Sequence, residues 1–190
     1  KPAFAQQWNV TLEYRLPSDI GLSVAYVAED GTHLMQTNRY YSQAVIGTTP
    51  LQTRRRDYAV LPGATEIVIT EPRAKMNYQS FQVSAQKRFS RGLEFTSSYT
   101  WSHGMSDNAG YYGTAVNSTA SPQNYADLRS EWGPSSMDIR HNFVSSVNYD
   151  LPFGKGKQFL THGPLGYVVG NWRVSSVNYY SSGAPVGIST

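Results

Sequence analysis

The stretch Trp8-Asn9-Val10-Thr11-Leu12-Glu13-Tyr14-Arg15-Leu16 alternates without a break: every even position is apolar or aromatic and every odd position is polar or charged. Side chains of a β-strand point to opposite faces in turn, so this stretch predicts a strand with one apolar and one polar face. The apolar face must meet either a protein core or the hydrocarbon of a bilayer. That choice decides the function.

Five further stretches repeat the alternation along the chain. Three are clean apart from Lys87, which stands on an apolar face, and two carry apolar residues on both faces. The clean stretches are 80–89, 93–102 and 142–151, and the softer ones are 22–28 and 172–181.

The length of these stretches favours a membrane. Most contain about nine or ten residues, which is what a tilted strand needs to cross the hydrocarbon core, whereas strands of soluble proteins average about five or six. Only helices and closed barrels satisfy every backbone polar group in lipid. We therefore predict an all-β fold, an antiparallel transmembrane β-barrel segment of about six strands in meander order, open in this chain.

The connections between the stretches alternate in length. Residues 17–21 and 90–92 make short turns, whereas 29–79 and 103–141 are long. Outer-membrane barrels have short periplasmic turns at one rim and long extracellular loops at the other. The third turn, 152–171, is longer than the first two and requires an excursion of its own.

Aromatic residues fit the same orientation, since they concentrate near the ends of the predicted strands, where amphipathic rings favour the membrane interface. The alternative is that Tyr and Trp simply favour strands. The predicted short-turn girdle contains Tyr14, Phe89, Tyr149 and Trp172, and the opposite girdle contains Trp8, Tyr99, Trp101, Phe143 and Tyr180.

Composition is compatible with this fold. Aromatic residues make up 13% of the chain and charged residues only 15%, with a mean hydropathy of −0.45. Half of each barrel strand faces water, which keeps the mean low. The chain has no cysteine, which excludes disulfides and thiolate metal sites, and its net charge of +3 is scattered. We expect no nucleic-acid partner, because only Arg54-Arg55-Arg56 concentrates positive charge.

A series of short motifs resembles the barrel of Oar-like TonB-dependent transporters. Each motif alone is weak, but they occur in the family's order over roughly Trp8 to Pro185. The matching blocks are Gly31-Thr32-His33-Leu34, Asn77-Tyr78-Gln79-Ser80-Phe81-Gln82-Val83, Lys87-Arg88-Phe89-Ser90-Arg91-Gly92-Leu93, Tyr99-Thr100-Trp101-Ser102, Pro122-Gln123-Asn124, Arg129-Ser130-Glu131-Trp132-Gly133-Pro134-Ser135, Asp138-Ile139-Arg140-His141, Tyr149-Asp150-Leu151-Pro152-Phe153-Gly154-Lys155-Gly156, Gly170-Asn171-Trp172 and Ser182-Gly183-Ala184-Pro185.

The resemblance implies a large transporter barrel with an N-terminal plug and a TonB-contacting segment, in the outer membrane of a Gram-negative-type bacterium. Since Lys1 is not a start methionine, we expect 1–190 to be a partial barrel domain, without the plug, the signal peptide and the remaining strands. The implied partners are outer-membrane lipid and lipopolysaccharide, the plug domain, a TonB-type energy-coupling protein and an unknown bulky substrate. A passive porin or surface-adhesion barrel, or a soluble all-β binding domain, remains as an alternative.

Charged residues supply two candidate sites. Asp138 and Arg140 share the inward parity, which predicts an ion pair on the lumen wall or a substrate contact. Arg54, Arg55, Arg56 and Asp57 form a charge run in the first long loop, which is either solvated or binds an anionic ligand or a lipopolysaccharide phosphate.

Histidines and hydroxyls give little support for catalysis. His103 and His141 share a rim and a facing parity, but neither has a carboxylate at ligand spacing, and His162 is near the opposite rim. A triad of Ser102, His103 and Asp107 is disfavoured because adjacent strand residues face opposite sides. We therefore expect no metal site, no cofactor and no enzymatic activity.

The long connections give two further expectations. The segments 34–58 and 104–137 should be the least regular, because they are rich in Gly, Ser, Thr and Asn without a sustained period. Residues 57–70 read as two short strands around a Pro62-Gly63 turn, so that some sheet should project beyond the membrane.

Overall fold

The fold contains one antiparallel sheet. The structure is a computed structural model that describes residues 1–107, 122, 124, 127–160 and 163–186. The order of the sheet is β1-β2-β3-β4-β6-β7, with the two-residue β5 paired to the end of β4. The strands are β1 Phe4–Leu16, β2 Ile20–Asn38, β3 Ile69–Ser90, β4 Leu93–Ser106, β5 Gly133–Pro134, β6 His141–Asp150 and β7 Arg173–Ser181; the helical elements are the 3-10 turns Tyr40–Ser42, Leu51–Arg54 and Leu128–Glu131 and the helix α1 Pro164–Val169.

The sheet is open, because within the described residues β1 and β7 are each paired on one edge only. Six long strands follow one another as neighbours, so the predicted all-β, meander-ordered open sheet is confirmed.

The strand register separates an apolar face from a polar one. Cross-strand partners point to the same side of a sheet, so a chain of partners defines one row of one face. The apolar row at mid-sheet is Leu12–Val24–Val83–Tyr99–Phe143–Tyr180, and the next row, on the other face, is Thr11–Ala25–Gln82–Thr100–Asn142–Ser181.

The described residues place no hydrophobic core beneath the apolar face. Ala28 and Ala74 are the only buried hydrophobic residues among those described, whereas Leu12 is 71% exposed and Tyr14 is 67% exposed. A soluble sandwich would bury such side chains against a second sheet, and the described part of the chain contains only one sheet. The apolar face therefore requires a partner other than this chain's own core.

Tight turns join the strands at one end. Ser18 and Asp19 both have positive φ, 67° and 59°, as do Arg91 and Gly92, 52° and 81°. Two successive residues in this region make the turn whose twist matches a hairpin. The short connections that the sequence predicts are thus two tight hairpins at the same rim.

Two expectations about the long connections are wrong in detail. Residues 57–68 contain no strand and make a series of turns instead, so the Pro62-Gly63 hairpin is absent. Sheet does project beyond the membrane, but through β2 and β3, whose ends pair from Met35 to Asn38 with Pro72 to Ile69. The segment 34–58 is therefore strand as far as Asn38, and half of the residues in the prediction for 104–137 lie outside those described.

Lys87 interrupts the apolar face directly before a bulge in β3. Lys87 lies opposite Ile20 and Phe95 on the apolar face, and the register shifts between Lys87 and Ser90. Its ammonium reaches back to the rim, where it donates to the Ser18 carbonyl and, at 3.2 Å, to the Ser90 hydroxyl. A lysine can in this way keep its aliphatic stem in an apolar surrounding and its charge at the interface.

The same bulge places Phe89 on the polar face of the sheet instead of the apolar face. Ser90 pairs with Leu93 on the apolar face, so Phe89 lies on the polar one. Its ring is 5.6 Å from the guanidinium carbon of Arg173, which belongs to a polar-face row with Asp150. The prediction that Phe89 joins the outward girdle is wrong, because one extra strand residue shifts the parity of everything after it.

Replacing Gly92 with alanine should destabilise the barrel, because a Cβ there would meet the Asp150 carbonyl oxygen at 3.1 Å with φ at +81°. We expect a loss of about 1 kcal/mol or more in the free energy of unfolding. Gly63→Ala is the matched control, since nothing lies within 4 Å of its added Cβ. Unfolding from bilayers in urea measures both, and equal effects would contradict the turn assignment.

Candidate functional site

The apolar face provides a membrane surface. Trp8, Tyr99, Trp101, Phe143 and Tyr180 lie on it by register. Tyr99 and His141 are joined there by a 2.8 Å hydrogen bond between the phenol oxygen and Nδ1. This pairing gives the histidine a partner on the protein surface. Large exposed apolar and aromatic side chains along most of one face are what a lipid solvent favours. The row Ser97–Ser145–Asn178 is the polar exception on three neighbouring strands.

The polar face provides the wall of a lumen. Its middle rows consist mainly of Ser, Thr, Asn and Gln, and many of these side chains bond locally. Gln82 donates to the Ser80 hydroxyl at 3.3 Å, and Asn148 donates to a Glu94 carboxylate oxygen at 3.4 Å. Apolar residues enter this face at Val144, which lies opposite Tyr179. Such a wall faces water or a polar segment of protein.

Asp138 forms a buried polar cluster at the long-loop end. Its side chain is only 4% exposed and accepts three bonds: from the Gly104 N–H at 2.9 Å, from His103 Nδ1 at 3.2 Å and from Arg140 at 3.3 Å. The Asp138–Arg140 pair expected from sequence is therefore brought together, with His103 as an additional partner. The cluster ties the segment before β6 to the end of β4, which is a structural task.

The three residues weighed as a triad have separate partners. Ser102 donates to the Ile139 carbonyl at 2.7 Å, His103 faces Asp138, and Asp107 accepts from the Lys75 N–H at 2.7 Å. In the described part of the chain no group of three His, Cys, Asp or Glu side chains is arranged to hold a metal ion. His162 lies outside the described residues.

The arginine run in the first long loop is folded into that loop. Arg54 donates to the Thr49 and Val45 carbonyls at 2.7 and 2.9 Å, and Arg55 pairs with Ala44 in a β-bridge. Arg56 lies 4.5 Å above the Tyr40 ring, and Asp57 is 8% exposed. The loop's own backbone therefore engages Arg54 and Arg55, whereas Arg56 is exposed, and the binding of an anionic ligand by this run stays a prediction.

The short-turn rim carries its own charged groups. Asp150 and Arg173 close the two ends of the 151–172 excursion and pair with each other, while Lys157 lies 3.6 Å from the second Asp150 oxygen. The pair fixes the start of β7 against the end of β6.

Sequence reasoning missed a pocket on the polar face at this rim. It has a volume of about 400 Å³ and is lined by Arg15, Asp19, Gly21, Gln86, Arg88, Phe89 and Ser90. The residues come from β1, the first turn, β2 and β3. Their meeting depends on the register and on the β3 bulge, which the sequence does not reveal.

An open antiparallel sheet with a lipid-type face, a lumen-type face and loops sorted by length defines a transmembrane β-barrel protein. Among the described residues no helix combines the length and the apolar character needed to cross a membrane.

The chain belongs to the family described as outer membrane beta barrel domain, whose model matches residues 1–190. Neither a curated protein nor a solved structure matches the chain. Membership places the protein in the outer membrane of a Gram-negative bacterium.

Substitutions at two neighbours in β6 test which face meets lipid. Val147 lies opposite Phe95 on the apolar face, and Asn148 opposite Glu94 on the polar one. Val147→Arg should cost about 2–4 kcal/mol near the bilayer midplane, whereas Asn148→Arg should cost little because it gains Glu94 as a neighbour. Val147→Phe should be nearly neutral, because lipid yields where a packed core would lose roughly 1–3 kcal/mol.

Unfolding from bilayers in denaturant measures all three variants. If Val147→Phe destabilises the barrel as strongly as Val147→Arg, the apolar face packs against protein and the membrane assignment fails.

Proposed function

We propose that this barrel segment belongs to a TonB-dependent transporter or receptor that moves a bulky substrate across the outer membrane. The observation that carries the proposal is the ordered series of Oar-like motifs from Trp8 to Pro185. Membership of the outer membrane beta barrel family agrees with it at the coarser level.

The long hairpin of β2 and β3 supports a role in capturing large molecules. The strands contain 19 and 22 residues, and a bilayer requires only about ten. About nine residues of β2 thus extend beyond the membrane, a length of ~30 Å. Pairs such as Asn38 with Glu71 and Asn77 with Asp30 stiffen this part. A rigid hairpin standing above the barrel offers contact area to a bulky substrate.

The proposed partners follow from the two faces and two rims. Lipid contacts the apolar face, and lipopolysaccharide contacts the long-loop end, where Arg56 and Arg140 carry partly exposed guanidiniums. A plug domain occupies the lumen against the polar wall, and a TonB-type protein couples it to energy from the short-turn side. The chain contributes walls and loops, with no catalytic step, since Ser102, His103 and Asp107 are all engaged elsewhere.

A passive porin or adhesion barrel is the second candidate. The uncharged Ser, Thr and Asn rows of the polar face would also suit an open water-filled channel. The two candidates differ in whether the lumen is blocked at rest.

Ion conductance of the full-length protein in planar lipid bilayers separates them. We expect no steady conductance, because a plugged lumen passes no ion current, and the appearance of a channel when mild urea loosens the plug. A stable open channel in the untreated protein would contradict the transporter and favour the porin. As a second arm, uptake that persists after the proton gradient of the inner membrane is dissipated would equally contradict it.

A further inference from the structure

We propose that the pocket between Arg15 and Arg88, at the short-turn rim of the lumen wall, is an anion site that takes a carboxylate or phosphate group. The inference requires only the barrel and its two faces, and it does not depend on the transporter assignment.

Register places Arg15 and Gln86 on either side of a gap, and Arg88, two residues further along β3, lines the same pocket. Arg15 on β1 lies opposite Gly21 on β2, and Gly21 lies opposite Gln86 on β3. Because Gly21 has no side chain, nothing fills the space between β1 and β3, which are ~10 Å apart. Two guanidiniums that extend over this floor can reach one anion from both sides, with the planar fork of donors that suits carboxylate and phosphate.

Neither guanidinium has a carboxylate partner among the described residues. The ion pairs of the described residues involve Arg39, Arg73, His103, Arg140, Lys157 and Arg173. Asp19 lines the same pocket but makes no ion pair with Arg15 or Arg88. The pocket thus retains one net positive charge, and Asp19 weakens its field without cancelling it.

Charge at the rim as a whole supports an anionic occupant. The ranges 13–19, 87–94 and 150–173 contain seven Lys and Arg residues against four acidic ones. This surplus of three equals the net charge of the entire chain, +3, so the rest of the chain is balanced. A local excess of one sign in a cleft concentrates ions of the opposite sign.

The β3 bulge completes the site. It turns Phe89 to the polar face beside Arg88, and the Lys87 ammonium bonds the Ser18 carbonyl in the turn that carries Asp19. The turn that carries Asp19 is therefore held against β3. Two sources could supply the anion: a free solute in the lumen, or an acidic side chain of another segment of the protein inside the barrel.

Thiol accessibility tests the site directly, because this chain has no cysteine of its own. Gly21→Cys adds a thiol on the pocket floor, where the new Cβ has ordinary contact at 3.8 Å with the Gln86 carbonyl. In the full-length protein in detergent micelles, on a cysteine-free background, we compare modification by a sulfonate and by a trimethylammonium methanethiosulfonate. The ratio of the two rates reports local potential, and any change in thiol reactivity itself cancels.

We expect the ratio of the modification rate by the anionic reagent to that by the cationic reagent to be about fivefold higher at Gly21→Cys than at Ser98→Cys. Ser98→Cys is the control on the polar face. Arg15→Gln and Arg88→Gln should each lower the ratio at Gly21→Cys about two- to threefold, whereas Asp19→Asn should raise it. Arg91→Asn, which removes a rim charge outside the pocket, should leave it unchanged. Gln86→Cys probes the same pocket if Gly21→Cys does not fold.

Citrate identifies the source of the anion. If a free anion is the ligand, citrate slows modification by both reagents. If an internal carboxylate fills the pocket, the thiol resists both reagents and becomes reactive when Arg15 and Arg88 are both replaced with Gln. Three results would each overturn the proposal. The thiol could be accessible but show the same rate ratio as Ser98→Cys, or it could be accessible and not be protected by citrate. It could also be protected and stay protected after both arginines are replaced.

Discussion

A strand in hydrocarbon has no water to satisfy its N–H and C=O groups, and the rest of the structure follows from that constraint. Each long strand from β2 to β6 is hydrogen-bonded on both sides, and only the outer edges of β1 and β7 are bare among the described residues. In lipid, the N–H and C=O groups at those two edges need strand partners. Once the backbone is satisfied, the side chains divide the sheet into a lipid face and a lumen face.

The proposed functions lie at the two rims because the wall between them spans the membrane. At the long-loop end, β2 and β3 continue beyond the bilayer and the Asp138 cluster anchors the chain before β6. At the short-turn end, tight hairpins bring charged residues of several strands close together. The first arrangement suits contact with large molecules outside the cell, and the second suits contact with anions or acidic segments on the periplasmic side.

The membrane-spanning part of the fold could be predicted from the sequence, because period two in Trp8 to Leu16 or Leu93 to Ser102 is a local signal. The bulge after Lys87 could not be predicted, since Phe89 continues the odd-numbered apolar set in the sequence and its reversed facing appears only through pairing with β4. The extension of β2 past Gly31 could also not be predicted from the sequence, because register shifts occur between Gly31 and Met35. Those strand ends pair without an alternating pattern.

Candidate sites were predictable only where the residues are close in sequence. Asp138 and Arg140 are two residues apart in the segment that leads into β6, and their shared parity alone predicted the ion pair. Arg15 and Arg88 lie on different strands, and they meet only through the register of β1, β2 and β3. The arginine run from Arg54 to Arg56 shows the opposite case, in which neighbours in sequence turn to different partners once the loop folds.

The central claim is that the apolar face meets lipid. Spin labels attached one at a time to cysteines at positions 142–149 of β6, in the full-length protein in liposomes, test it most directly. Oxygen partitions into hydrocarbon and a nickel chelate remains in water, so collision rates with each report the solvent of each side chain. Oxygen accessibility should peak at 143, 145, 147 and 149, with chelate accessibility peaking at the even positions between them. Equal accessibility at odd and even positions, or odd positions shielded from both reagents, would contradict the account.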